Sequence, residues 1–278
     1  MGKFERTWEL MSASWNVLRK DKEILLFPVL SGIALIFVMA SFAVPLFMIG
    51  DFKQMAASGT DSEPWIALFL FYFSNYLVII FFNTAIVACA TIRMSGRDPV
   101  VSDGLRAASN RLPAIFGWAA VSATVGMILR MIENRSSFIG RIVAGLLGMA
   151  WSITSYLVIP VLVNENKGPI EAYQESVRLL KKTWGEELIG NFSFGLVFFV
   201  LSLPVIILVF AGVLMGKGAL TLIFICMALL YGVLLSVIQS ALQGIFQAAL
   251  YQYAQKRIVV PGFNQNLLKD AITPKYIG

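Results

Sequence analysis

The 278-residue chain contains no histidine, only two cysteines, and charged side chains at just 14% of its positions. Each scarcity closes off a class of chemistry. Without imidazole, this chain alone forms no Ser-His or Cys-His nucleophile and base pair and no histidine metal site. Cys89 and Cys226 both lie inside apolar runs, so the chain is not a disulfide-stapled secreted domain. Ordinary soluble domains are roughly 25% charged and about 45–50% apolar, whereas this chain is 58% apolar, which excludes a soluble globular protein and a disordered one alike. There is no phosphate-binding Walker loop and no dinucleotide glycine fingerprint. Asp98, Asp103, Glu165, Glu171 and Glu175 are interleaved with Lys and Arg and read as solvated helix faces. No catalytic residue, metal or cofactor is therefore expected.

What the chain has instead is long apolar runs, with a mean hydropathy of +0.77. Six of them, near Ile24–Ile49, Trp65–Ile92, Leu112–Ile132, Ile142–Val163, Gly190–Met215 and Ala219–Tyr251, exceed the about 20 helical residues needed to cross a hydrocarbon core of about 30 Å. Barrel strands would be short and alternating, and these runs are continuous. The expected fold is thus all-α, a polytopic membrane bundle of six transmembrane helices. With the N-terminus cytoplasmic, 17 of the 22 basic residues fall on the inner side, leaving Lys53, Arg130, Arg135, Arg141 and Lys217 elsewhere. This bias places both termini in the cytoplasm. Arg130, Glu133, Arg135 and Arg141 form a charge cluster on the expected outer face, by snorkelling to headgroups, by pairing, or as a ligand site. The acidic residues ahead of the first run, and its length, argue against a cleaved signal.

A three-fold pattern divides the spans into hairpins. Phe4, Trp8, Met11, Trp15 and Leu18 recur at steps of three and four ahead of the first span, as on an amphipathic helix lying in the interface. Ser102–Arg111, leading into Pro113, stands ahead of the third span. Ile170, Tyr173, Val177, Leu180 and Trp184 stand ahead of the fifth. Trp8, Trp15 and Trp184 are the expected interfacial anchors. Units 1–92, 93–163 and 164–254 would be parallel repeats within one transmembrane bundle, 1–254, followed by a cytoplasmic tail, 255–278.

Polar side chains at membrane depth are costly and mark candidate sites. In the last span Gly232, Ser236, Gln239, Ser240, Gln243, Gly244, Gln247 and Ala248 share one half of the helix, opposite Leu234, Ile238, Leu242 and Ile245. Two readings fit the stripe. Small residues and amides allow close helix packing, the preferred reading, or they form the wall of a conduit with Asn75 and Asn83 of the second span. Pro45 and Pro204 predict kinks.

The run Ser14-Trp15-Asn16-Val17-Leu18-Arg19-Lys20-Asp21-Lys22-Glu23 with Phe27-Pro28, the segments Gly140–Gly145, Ala150-Trp151-Ser152 and Leu179–Glu186, and the tail Pro261-Gly262-Phe263 with Leu267-Leu268 resemble a bacterial family of six-span membrane proteins known only as a domain of unknown function. The resemblance implies a bacterial inner (plasma) membrane and no activity. The resulting expectation is a non-enzymatic scaffold or accessory protein that grips anionic inner-leaflet lipids of the bilayer and docks a membrane protein or a second copy of itself. A channel or transporter is the alternative, and a lipid-modifying enzyme a more distant third. Nucleic-acid binding is not needed to explain the net charge of +6, since basic inner loops and anionic headgroups account for it.

Overall fold

A computed structural model describes residues 3–48, 65–135, 138–183, 194–216 and 218–256, and among them there are helices and turns but no strand. The helices are α1 (Lys3–Lys20), α2 (Leu26–Met48), α3 (Trp65–Met94), α4 (Val101–Asn110), α5 (Leu112–Arg135), α6 (Phe138–Thr154), α7 (Val158–Asn164), α8 (Pro169–Thr183), α9 (Phe194–Leu214) and α10 (Gly218–Lys256), with a 3₁₀ turn at Lys22–Leu25 between the first two. Six stretches are long and apolar enough to span a membrane: Lys22–Val44, Trp65–Met94, Leu112–Glu133, Gly140–Asn164, Val197–Leu214 and Gly218–Gln255. Each overlaps one of the six runs read from sequence; Ile49 and residues 190–193 of those runs lie outside the described residues. The architecture is an all-helical integral membrane bundle.

Local chemistry sets several helix ends. After α3, Gly96 takes φ +85°, a left-handed conformation that a Cβ disfavours, and the Arg97 N–H returns to the Ile92 carbonyl at 3.3 Å. α4 opens with the Val100 N–H donating to the Asp103 carboxylate at 3.1 Å. Pro113 occupies the first turn of α5, where its missing N–H costs nothing. Gly216, at φ +61°, makes the turn from α9 to α10, and Thr221 Oγ1 donates to the Gly212 carbonyl at 2.7 Å across it. Pro204 lies inside α9 as expected.

The fourth span departs from the continuous helix expected over Ile142–Val163. It is broken at Ser155-Tyr156-Leu157 into α6 and α7. Pro160 provides the cause, because it lacks the N–H that would bond back to the Tyr156 carbonyl and its ring crowds that position.

Burial is unevenly distributed along the bundle. The upper parts of α9 and α10 present Phe199, Ile206, Phe210, Leu222, Leu229 and Leu230 outward. Their exposure is expected, because hydrocarbon tails are as apolar as leucine and give no drive to bury them. The fully buried large side chains, among them Leu18, Phe27, Ile86, Ile115, Leu157, Ile245 and Leu250, instead gather at the end where α1, α4 and α8 pack against the spans. We call this end the base. α10 runs for 39 residues, about 58 Å at about 1.5 Å per residue, roughly twice the hydrocarbon thickness. Its stretch from Ala241 to Leu250 is therefore sheathed by protein at the base, with Ala241, Ile245, Ala248 and Ala249 fully buried.

The inward face of α8 matches the one read in the sequence in part: Leu180 is buried and Tyr173 packs against the core, whereas Ile170 is half exposed and Ala172, Glu175, Ser176 and Leu179 also face inward. The face takes in Glu175 and Ser176 because they have strong polar partners in the base. The side chains of Trp8, Trp184 and Arg135 lie outside the described residues, as does the segment 257–278.

Candidate functional site

Among the described residues the base holds three polar arrangements and an apolar groove. The first closes the break in the fourth span. Ser176 of α8, fully buried, donates from Oγ to the Thr154 carbonyl at 2.7 Å and accepts from the Leu157 N–H at 3.1 Å. One hydroxyl thus satisfies both a donor and an acceptor freed by the break. Beside it Tyr173 donates to Thr154 Oγ1 at 3.1 Å, and its ring stacks with Trp151 and Trp118 at centroid distances of 5.2 and 5.9 Å. Pro169, the first residue of α8, lies so close to Gly117 of α5 that a Cβ there would come within 2.7 Å of its Cγ. These contacts fasten α8 across the third and fourth spans.

The second arrangement is an ionic network. Lys167 Nζ lies 2.5 Å from a Glu165 carboxylate oxygen and 2.8 Å from one of Glu175. Arg178 also holds Glu175 at 2.7 Å. The other oxygen of Glu165 accepts from the Tyr251 hydroxyl and from Gln255 Nε2 of α10, both at 2.7 Å. The network joins the α7–α8 connection to the last helix. Burial favours the neutral form of Glu175, but hydrogen bonds from Arg178 and Lys167 outweigh it and hold the carboxyl below the usual carboxylate range. Hydrogen bonds to Glu165 first and Glu175 second raise Lys167 above the ordinary lysine value. Against the expectation of solvated faces, Glu175 is buried and Glu165 half-buried. Glu171 does stay exposed, accepting from the Gly168 N–H at 3.0 Å.

The third arrangement ties the N-terminal helix to the second span. Asp21, at the end of α1 and 5% exposed, accepts two hydrogen bonds from the Arg93 guanidinium, which also reaches Asp98. Arg111 donates to Asn166, linking the start of α5 to the α7–α8 connection.

The residues singled out from sequence are scattered. Asn75 is half-buried, and its Nδ2 donates to the Phe71 carbonyl of its own helix at 2.7 Å. Asn83, Gln239, Gln243 and Gln247 are each half-buried, with the Gln247 amide beside the Tyr156 hydroxyl at the span break. The stripe of α10 meets α3 at Gly244, where a Cβ would collide with Cγ2 of Ile86 and stand 3.2 Å from its Cβ. Asn75 is eleven positions from Ile86, about 16 Å along α3. At the expected outer face, Arg130 donates to the Tyr72 hydroxyl at 3.0 Å, and Glu133 and Arg141 are exposed. Among the described residues, no three His, Cys, Asp or Glu side chains gather as metal ligands.

The groove was not foreseen. It lies between α1, α9 and α10, has a volume of about 350 Å³, and is lined by Met11, Trp15, Phe198, Leu201, Leu235 and Leu242 among others. Ser12 is the one hydroxyl-bearing side chain on its wall. A signal for it existed in the sequence only as the spacing of Met11 and Trp15 on α1.

Residues 63–259 match a family described as "Family of unknown function (DUF6159)". The chain belongs to this family. The DUF6159 match takes in five of the six spans, the broken fourth span, α8 and the whole of α10, and so includes the ionic network and the Gly244–Ile86 contact. Lys22–Val44 and the Ser14–Pro28 and Pro261–Leu268 motifs fall outside the DUF6159 range. No curated protein and no solved structure matches the chain.

Proposed function

We propose that this protein is a non-enzymatic scaffold or accessory protein of a bacterial inner membrane, with both termini cytoplasmic. Its base lies at the inner leaflet, and it docks a membrane partner or lipid. In this reading α1, α4 and α8 lie along the interface, and the short helix that precedes each pair of spans recurs as a parallel repeat. The observation that carries the proposal is the contact of Gly244 with Ile86. A conduit lined by the Gln239, Gln243 and Gln247 stripe needs open volume beside α10 at that level. There the helix approaches α3 too closely to admit even a methyl group, with Ala241, Ile245 and Ala248 buried around it. Small residues and amides in such a place serve close packing and hydrogen bonding between helices. The polar groups of the base also support the reading, since they bond to one another across helices and so fix a rigid platform.

The test is solute flux in proteoliposomes. Wild-type protein is expected to release no more entrapped ion or small solute than empty vesicles do. Flux above that background that is lost on Gln243→Leu would overturn the scaffold in favour of a conduit.

A further inference from the structure

The groove between α1, α9 and α10 has a composition and a position that select its occupant. With a volume of about 350 Å³, the slot has room for part of an acyl chain. Water does not suit it, because a buried water needs two to four polar partners and the wall supplies the Ser12 hydroxyl among apolar side chains. Its depth is set by α10. Counting about 20 residues from Gly218 brings the hydrocarbon boundary close to Ile238, between Leu235 and Leu242 of the groove wall. Next to the groove, Phe199, Val200 and Leu234 face outward, so what surrounds its mouth is hydrocarbon. Charge completes the pattern. Arg19 follows Ser12 and Trp15 on the same face of α1, at the i+7 and i+4 positions. It is exposed and makes no hydrogen bond or ion pair with any described residue. An apolar slot at the boundary with an exposed guanidinium one turn further along α1 complements a lipid with an anionic headgroup.

We propose that this groove binds one anionic phospholipid, with an acyl chain along Met11, Leu201 and Leu235 and the phosphate on Arg19. The inference deepens the scaffold reading and rests on it, by naming the lipid class and its seat. The two fail separately. Solute flux would defeat the scaffold and leave lipid stoichiometry unchanged, whereas absence of a bound lipid would defeat this site with flux still at background.

The full-length protein, purified in detergent and stripped of lipid, is titrated with phosphatidylglycerol or phosphatidylcholine and read by native mass spectrometry. One phosphatidylglycerol per chain is expected to bind in a saturable first step, at about fivefold lower concentration than phosphatidylcholine, the factor for one basic residue near an anionic surface. Arg19→Gln is expected to bring the two lipids level. Filling the groove with Leu235→Trp, or from the α1 side with Ser12→Trp at an exposed position, is expected to remove the first step. Lipid adducts that climb without a one-per-chain step, or a step that survives both filling variants, would overturn the site. Equal binding of the two lipids by the unaltered protein would overturn the role of Arg19.

Discussion

Ser176→Ala isolates the coupling between α8 and the broken fourth span. The hydroxyl is fully buried, gives its proton to the Thr154 carbonyl at 2.7 Å and accepts from the Leu157 N–H at 3.1 Å. Removing it leaves one buried acceptor and one buried donor without that partner, at about 1–3 kcal/mol for each unsatisfied group. The small void of one oxygen atom adds little, so the loss should total about 2–6 kcal/mol. At about 2–4 °C per kcal/mol for a chain of this size, the melting midpoint falls by roughly 4–24 °C. The assay is thermal unfolding of the purified protein in a fixed detergent, with Ser152→Ala as control. Ser152 donates to the Gly148 carbonyl of its own helix at 2.9 Å and is exposed, so its loss stays within about 0.5 kcal/mol. Midpoints for the two variants within a degree of each other would refute the claim that α8 holds the break closed.

Other consequences follow from the base. Gly244→Ala forces a methyl group onto the β-branched Ile86, which cannot swing aside, and is expected to cost about 1–3 kcal/mol. In an Ile86→Ala background the same change should be nearly neutral, and equal costs in both backgrounds by thermal melts would show that the two residues do not touch. Glu175 has its carboxyl held below the unfolded value, so its stabilising contribution is complete above the ordinary carboxylate pKa and is lost as the pH falls through the lower, folded value. Midpoints measured from pH 7 downward should therefore fall less steeply for Glu175→Gln than for the unaltered protein. Lys167 has the opposite sign. Its contribution is complete below the ordinary lysine pKa and disappears as pH rises through its raised value, so Lys167→Met should flatten the alkaline limb.

The number, length and position of the spans were readable because hydropathy averaged over about 20 residues depends on composition alone. The break in the fourth span escaped that averaging. Ser155 and Tyr156 are too few to interrupt an apolar window, yet Pro160 marked the place, since a proline removes the hydrogen bond four residues back. The burial of Glu175 left no local trace. Its partners Lys167 and Arg178 are near in sequence, as on any solvated helix, and what draws that face inward is the fit of Ser176 into Thr154 and Leu157. The glutamine stripe was visible as a helical periodicity, whereas the approach of Gly244 to Ile86, which favours a packed seam over a lined wall, emerges only in the tertiary structure. Asn75 is likewise legible only as a polar residue in an apolar run, and the structure gives its amide to the Phe71 carbonyl one turn before it.

The central claim, that α10 passes through the base in a dry and closed contact, is tested most directly by thiol accessibility at Ala248. That side chain is fully buried and belongs to the stripe, and cysteine is a small replacement for alanine. In a Cys226→Ala background, which removes the exposed native thiol, Ala248→Cys is treated with a small water-soluble methanethiosulfonate in proteoliposomes. A packed base predicts no modification until the protein is denatured, with complete modification afterwards. Rapid modification of the folded protein, at a rate matching an exposed cysteine, would contradict it and restore the stripe as the wall of a water-filled path.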